Sequence, residues 1–194
     1  LSTDGIGSDI DRNLVGAGYQ FEDGIVGGVI PRQYIPAIDK GIQESAARGY
    51  LAGCPVVDFK VRVYDGSYHT VDSSEMAFKM AGSIAFKAAM AQLKTILLEP
   101  VVQMTVTIPD EYMGDVIGDL SSRRGKVLGS DSQGGLTELK VYVPMSEVLR
   151  YAPDLRSMTG GQGTFTMEFD HYEEAPQPVV DKVVAAYEAA KAAE

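Results

Sequence analysis

The chain has 194 residues, of which 45% are hydrophobic and 23% charged, and its formal net charge is −10. This composition is typical of a folded protein, and so acidic a chain is a poor general binder of nucleic acid because phosphate contacts dominate that affinity. No apolar run reaches the roughly 18 residues of a membrane helix, no signal peptide is visible, and the single Cys54 excludes an intrachain disulfide or cysteine zinc site. We expect Cys54 to be a small buried filler in a reducing compartment.

The first half of the chain predicts strand, helix, strand and helix after a leading loop. Residues 1–18 are rich in Gly, Ser and Asp without an apolar period, which is typical of a loop or a frayed end. The segment YQFEDGIVGG predicts a short strand. A helix follows it, because Tyr34, Ile38 and Ile42 lie at helical spacing, and Gly49 is its predicted stop.

The second strand and helix of this half have clearer patterns. In PVVDFKVRVY the apolar residues alternate with polar ones, which predicts a half-buried strand. Its predicted inward residues are Val57, Phe59, Val61 and Val63. The next helix is predicted to start near Ser73, with a polar stripe at Lys79, Ser83 and Lys87 and the apolar residues on its other side.

The second half predicts the split β-α-β-β-α-β order of ferredoxin-like domains. Val102 to Ile108 alternate as one strand, Gly125 is the predicted stop of the first helix, and Gly134–Gly135 predicts a hairpin turn. The second helix is expected to be strained or broken near Pro153. The last strand presents three large apolar side chains on one face, which are Phe165, Met167 and Phe169.

These elements predict an α+β fold of two small α/β-sandwich domains and a helical tail. The domain bounds are 1–97, 98–175 and 176–194, and the tail is an alanine-rich helix. We expect the methionines to fill the two cores rather than to form a functional patch. His171, near the end of the last strand, is expected to be structural or solvated.

The window YDGSYHTVDSSEMAF suggests either a catalytic group or a shaped loop. His69, Asp72 and Ser73 are of the residue types of a hydrolytic triad, but neighbours in sequence rarely converge as a triad must. Asp72 and Glu75 fit a helix capping box instead, and we prefer that interpretation. A cap leaves Gly66, Ser67, Tyr68 and His69 unexplained. Tyr and His at a rigid loop suit stacking on RNA bases, while an ordinary loop is the alternative.

A second candidate site lies at the end of the predicted helix at residues 110–125. Arg123 and Arg124, with Lys126 just after, form the densest basic cluster in the acidic second half. Such residues interact favourably with the helix dipole, which is a purely structural role. They also suit contact with RNA phosphates, and both interpretations stay open on this pattern alone.

Nucleotide and metal motifs are missing from the sequence. The nearest approach to a P-loop, GDLSSRRGK, has Arg123 in place of the second glycine and follows a helix rather than a strand. GAGYQF fails as a dinucleotide fingerprint at Phe21. Two histidines and one cysteine do not have the spacing of a zinc site.

Long segments of the chain resemble the last two domains, the fourth and fifth, of bacterial elongation factor G. The resemblance covers roughly residues 19–180 in order and almost without gaps. The segments that carry it are GGVIPRQYIPAIDKGIQES, GSYHTVDSSEMAFKMAGSIAFK, LLEPVVQMTVTIPDEYMGDVIGDLSSRRGKVLG and LRSMTGGQGTFTMEFDHYEEAP. Residues 1–97 then resemble the fourth domain without its first strands, and residues 98–175 the ferredoxin-like fifth domain.

The resemblance implies a cytoplasmic, monomeric factor of protein synthesis that contacts no membrane. The family is a translational GTPase that moves tRNA and mRNA through the ribosome. Residues 66–71 match a loop beside tRNA and mRNA in the small-subunit decoding region, with His69 at the motif histidine. Arg123 and Arg124 match a motif near the rRNA of the large-subunit stalk base.

The departures from the family pattern define what this chain is not expected to do. The GTPase domain is missing, so we expect no catalytic residue and no cofactor here, with GTP and Mg²⁺ bound elsewhere in the full-length protein. A glycine-rich tip loop of the fourth domain is not found, Gln162 stands where the family often has a basic residue, and Pro153 is unusual. The alternative is an elongation-factor-G-like paralogue or a ribosomal-protection protein, with a role in recycling or antibiotic resistance.

Overall fold

The computed structural model describes residues 6–7, 16–71 and 73–193 of the chain. The chain divides into two compact units, the first formed by residues 1–95 with 178–194 and the second by residues 96–177. Each unit combines helices with its own sheet, which confirms the predicted α+β class. In the part of the chain that is described, no helix is long and apolar enough to cross a membrane.

The first unit is a three-stranded sheet covered by two helices. Its strands are β1 (Ile6–Gly7), β2 (Tyr19–Asp23) and β3 (Phe59–Val63), and its helices are α1 (Ile35–Arg48) and α2 (Glu75–Gln92). β3 lies between the others, antiparallel to β1 and parallel to β2. The prediction of a loop throughout residues 1–18 is therefore wrong at β1, and the rest of residues 1–15 lie outside the described part.

The start of β3 differs from the prediction because of one backbone angle. Phe59, Val61 and Val63 are buried as predicted, but Val57 is 57% exposed. Asp58 has a φ of 54°, so the chain turns there and β3 begins only at the next residue. The alternation of apolar and polar residues in the sequence therefore begins at Val57, two residues before the strand itself.

The two helices of the first unit pack through small residues. A Cβ on Gly82 would lie 2.5 Å from the carbonyl oxygen of Ile38, so α2 crosses α1 at backbone distance. The hydroxyl oxygens of Ser45 and Ser83 are 2.6 Å apart at the same crossing. The predicted polar stripe is therefore only partly exposed, because Ser83 faces α1.

The second unit has four antiparallel strands in the order β5-β6-β4-β7, with helices on one face. Its elements in chain order are β4 (Leu98–Pro109), α3 (Met113–Ser122), β5 (Lys126–Gln133), β6 (Leu136–Pro144), α4 (Met145–Val148), α5 (Tyr151–Met158) and β7 (Thr164–Glu174). This order agrees with the predicted ferredoxin-like arrangement.

The core of the second unit lies between the helices and the inward residues of β4. Met104, Val106 and Ile108 are fully buried and pack with Val116 and Leu120 of α3. The edge strand β7 is less covered than its pattern predicts. Met167 and Phe169 of its inward face are exposed, and so is Met145, which corrects the assignment of the two methionines to the core.

The predicted break near Pro153 lies elsewhere. The helical segment is interrupted at residues 149–150, between α4 and α5, and Pro153 is the third residue of α5. Proline is tolerated in a first turn because the N–H groups there have no intrahelical acceptor. The prediction of a break was thus right, but its cause and position were not.

The last helix, α6 (Gln177–Ala192), belongs to the first unit from residue 178 onward. A Cβ on Gly53 would be 2.5 Å from the Tyr187 ring, so this helix contacts the loop after α1. Cys54, on the same loop, is exposed, and the expectation of a buried filler is wrong. That expectation rested on the usual burial of free cysteines, and the loop around Cys54 has no apolar pattern that would support it.

Candidate nucleic-acid interface

Two loops leave the same end of the first unit's sheet. Because β2 and β3 are parallel, the chain leaves both strands at the same edge. The Gly24 N–H donates a hydrogen bond to the Val63 carbonyl at 2.7 Å, which joins the two exits. The loop after β2 spans residues 24–31, and the loop after β3, hereafter the β3–α2 loop, spans residues 64–74.

The β3–α2 loop contains the four predicted contact residues of the first unit. Gly66, Ser67, Tyr68 and His69 are all exposed. A Cβ on Gly66 would lie 2.5 Å from Cδ1 of Ile30, so the loop rests directly on the end of the loop after β2. The predicted residues thus lie together on one exposed segment with a packed underside.

The helix cap after this loop differs from the predicted one. α2 begins at Glu75, and its N-cap is Ser74, whose hydroxyl accepts a hydrogen bond from the Ala77 N–H at 3.1 Å. The predicted cap, Asp72, lies outside the described residues. Serine is as good an N-cap as aspartate, so the sequence DSS offers three adjacent candidates and no means of choosing between them.

Ser73 closes the loop rather than forming a catalytic pair. Its hydroxyl accepts a hydrogen bond from the backbone N–H of His69 at 3.0 Å, and its own N–H donates to the His69 carbonyl at 3.1 Å. Among the described residues, no carboxylate and no serine hydroxyl pairs with the His69 imidazole. The arrangement is a turn, which disfavours the triad interpretation.

The second candidate site is the C-terminal end of α3. Arg124 has a φ of 63°, its N–H donates to the Ser121 carbonyl, and the Gly125 N–H donates to the Leu120 carbonyl at 2.7 Å. These bonds are the Schellman motif, with Arg124 in the left-handed position that glycine usually takes. Gly125 is needed for a different reason, since a Cβ there would lie 2.6 Å from the Leu120 oxygen.

Arg124 is held in this unfavourable conformation by carboxylates. Its two terminal nitrogens each lie 2.7 Å from one oxygen of Glu99, a bidentate pair, and its Nε lies 3.3 Å from Glu147. Glu99 is only 8% exposed. Hydrogen bonding to Glu99 raises the pKa of Arg124 above its ordinary value, so the charge is permanent and already paired.

Arg123 is paired in the same way. Its Nε is 2.8 Å from Asp119, and its Nη2 is 2.7 Å from Asp154. Its guanidinium also lies 5.0 Å from the centre of the buried Tyr151 ring. The two arginines therefore connect α3 to β4, α4 and α5, and their charges are balanced within the unit.

Lys126 is the most exposed cation of the cluster. Its side chain is 68% exposed, and its Nζ lies 3.2 Å from Glu173. Glu173 also bonds Nε2 of His171 at 3.0 Å, while Nδ1 of His171 lies 2.6 Å from Asp170. Hydrogen bonds to Glu173 and Asp170 raise the pKa of His171, and the bond to His171 lowers the pKa of Glu173. No group of three or more metal-ligating side chains in the described segments could hold a metal ion.

The carboxylate partners of the arginines were missed in the sequence. Glu99, Glu147 and Asp154 lie 23 to 31 residues from the arginines they bind. The one available signal was composition. Residues 99–194 contain eight Lys and Arg against sixteen Asp and Glu, a net charge of −8. This excess of carboxylates favours acidic partners for a pair of arginines in that half of the chain.

Comparison with known proteins gives the family. The model for elongation factor G domain IV matches residues 6–94, and that for the elongation factor G C-terminus matches residues 96–183. A solved crystal structure of a Thermus thermophilus protein matches with 47% identity and a TM-score of 0.75 over 88% of this chain. This chain spans 26% of that protein's length. The parts of the family found here are domain IV and the C-terminus, and the chain therefore belongs to the elongation factor G family.

Proposed function

We propose that this chain is the ribosome-contacting C-terminal part of a translational GTPase that promotes movement of tRNA and mRNA during protein synthesis in the cytoplasm. Its partners are the small-subunit decoding region, the tRNA–mRNA pair and the rRNA of the large-subunit stalk base. The chain itself makes and breaks no covalent bond. It acts by presenting shaped surfaces to a much larger RNA assembly.

The observation that carries this proposal is the β3–α2 loop. Tyr68 and His69 are exposed, whereas the loop's underside is packed against Ile30 and its base is closed by Ser73. Aromatic rings and a hydrogen-bonding imidazole on a fixed loop are suited to unstacked bases and to riboses. A local contact of this kind needs no basic surface, which agrees with the overall acidic charge of the chain.

The end of α3 is the second proposed contact, and it differs in kind. Arg123 and Arg124 are already paired with carboxylates, so an RNA phosphate would have to compete with Asp119, Asp154 and Glu99. Lys126 retains most of its exposure. The proposed contact at the stalk base therefore rests on Lys126 and on the shape of the helix end more than on free guanidinium groups.

GTP and Mg²⁺ act in another domain of the full-length factor under this proposal. The segment nearest to a P-loop is the end of α3, and its arginines and backbone N–H groups are used within the unit. The backbone N–H groups with which a P-loop would hold nucleotide phosphates are therefore already bonded there. A change of domain orientation after hydrolysis would bring the loop into a position that blocks the return of the tRNA, which biases its position through differential contacts.

A site-specific cross-link tests the identity of the partner. Cys54 is the only cysteine of this 194-residue chain and is exposed. Cys54→Ser, combined with replacement of any cysteine in the other domains, gives a background for single cysteines in the full-length factor. A photo-reactive probe on Ser67→Cys is expected to label tRNA, mRNA or small-subunit rRNA on the ribosome. The same probe at Ser130→Cys, on the exposed edge of β5, is the control. Labelling from Ser130→Cys alone, with none from Ser67→Cys, would contradict the proposal.

A further inference from the structure

Three aromatic rings connect the β3–α2 loop to the core of the first unit. The Tyr68 ring stacks on the Tyr34 ring at 5.9 Å between centroids, and the Tyr34 ring stacks on Phe78 at 4.7 Å. The interplanar angles are 30° and 22°. Phe78 is buried in α2, Tyr34 is partly buried, and Tyr68 is exposed. The series therefore runs from the core to the exposed loop.

The middle ring is the fixed one. Tyr34 ends a 3-10 turn, Arg32–Tyr34, and is the N-cap residue of α1. Its N–H donates to the Pro31 carbonyl at 3.0 Å, and Pro36 follows in the first turn of α1. Proline restricts the backbone there, so the position of the Tyr34 ring is set by the start of a helix.

Two further contacts support the described part of the loop. No residue between Tyr64 and Thr70 belongs to a helix or a strand. Besides the Tyr34 ring, the side chain of Ile30 lies under Gly66, and the turn at Ser73 holds the backbone of His69. Ile30 and Ser73 support the ends of the loop, whereas the Tyr34 ring supports its centre, directly at Tyr68.

We propose that Tyr34 is a positioning residue, which fixes Tyr68 by stacking and thereby sets the place of the neighbouring Ser67 and His69. Any effect of Tyr34 on contact with the ribosome rests on the proposed function. Tyr34 does not itself need to touch the partner. An aromatic ring in this position orients the loop before it binds, so less conformational freedom is lost on contact.

The structural test uses the 194-residue chain and three variants. Tyr34→Leu removes the middle ring, Tyr34→Phe keeps it, and Phe86→Leu is the control, since it weakens the same core without touching the loop. NMR reports the ring-proton shifts of Tyr68 and the exchange rate of the His69 amide. Tyr34→Leu loses both ring pairs, and loss of the Tyr34–Tyr68 pair is expected to accelerate that exchange roughly threefold to tenfold.

Support requires that Tyr34→Leu moves the Tyr68 shifts and accelerates His69 exchange, while Tyr34→Phe stays close to the original protein. Unchanged Tyr68 and His69 signals in Tyr34→Leu would overturn the proposal. An equal change in Phe86→Leu would overturn it too, because the effect would then be a general loss of stability.

A functional arm separates this inference from the proposed function. In the full-length factor, Tyr34→Leu is expected to slow translocation in the same direction as His69→Ala, with Tyr34→Phe close to normal. If Tyr34→Leu loosens the loop but translocates normally, while His69→Ala translocates slowly, the positioning role is overturned. If His69→Ala itself translocates normally, the proposed function fails, and the NMR result alone decides whether Tyr34 positions the loop.

Discussion

The β3–α2 loop of the first unit and the end of α3 in the second unit are both candidate binding sites in the sequence, but they differ in structure. In the loop, Tyr68 and His69 are exposed, and hydrogen bonds and ring stacking hold the backbone below them. At the end of α3, Arg123 and Arg124 are themselves the support, since each binds carboxylates of its own unit. A binding surface needs exposed polar groups that are not already held in internal pairs. The loop offers Tyr68 and His69, whereas the end of α3 offers chiefly Lys126, whose side chain is 68% exposed.

The comparison also shows why a cluster of arginines is ambiguous. An arginine binds a carboxylate or a phosphate with the same bidentate geometry. In an acidic unit, the carboxylates are close at all times, whereas a phosphate of the proposed RNA partner would compete for the arginines only in the complex. We therefore infer that Arg123 and Arg124 serve first to join α3 to its neighbours.

The largest predicted effect on stability comes from Glu99→Ala. Removing one partner of a buried ion pair costs about 3–5 kcal/mol, and the 30% exposure of the Arg124 side chain reduces this to about 2 kcal/mol. Hydrogen exchange of the slowest amides in β4 and β6 measures it. The exposed Glu168→Ala is the matched control. A loss below about 0.5 kcal/mol, the usual range of surface substitutions, would mean that Arg124 is not held by Glu99 and is free for other partners.

A smaller effect is expected at the base of the loop. Ser74→Ala removes the side-chain cap of α2 and should lower the stability of the first unit by about 1 kcal/mol. Asp72→Ala is the competing variant, and we expect it to cost less. Urea unfolding, followed by the NMR signals of α2, compares the two. A larger loss in Asp72→Ala would restore aspartate as the cap and change the account of how the loop ends.

The smallest predicted effect is a dependence on pH in the second unit. His171 lies between Asp170 and Glu173, with Tyr142 of β6 packed edge-on and Lys126 of β5 bound to the same Glu173. Because its pKa is raised in the folded protein, its contribution is complete below the ordinary histidine pKa and is lost as pH rises through the raised value. Stability should therefore fall over that range, and His171→Gln should abolish this fall. An NMR titration of His171 with a midpoint at or below the ordinary value of 6.5 would contradict it.

Much of the fold could be predicted because it follows from local patterns. The alternation in β4 and β6, the Gly134–Gly135 turn and the helix stop at Gly49 are each legible within about ten residues of sequence. Their order then restricts the second unit to few topologies. The predicted bounds were wrong where a single local feature sets them. One such feature is the backbone angle of Asp58, which delays the start of β3, and another is the position of Pro153 in the first turn of α5.

The environment of the candidate sites could not be predicted, because it depends on contacts between distant residues. Tyr34 stacks on Tyr68 across 34 positions, and Glu99 binds Arg124 across 25. Nothing in the spacing of these residues marks them as partners. The roles of the loop and helix-end residues in binding the ribosome remain predictions. They are supported by the exposure of the loop and by the exposure of the Lys126 side chain.

The most direct test of the central claim compares the chain's two histidines in the full-length factor. His69→Ala removes a group from the exposed loop, and His171→Ala makes the same substitution in the second unit. Single-turnover rates of translocation and GTP hydrolysis are measured on the ribosome for both variants. We predict that His69→Ala slows translocation roughly tenfold or more, equivalent to about 1.4 kcal/mol of lost contact, with hydrolysis unchanged and His171→Ala close to normal. Normal translocation in His69→Ala, or equal slowing of translocation and hydrolysis, would contradict the account.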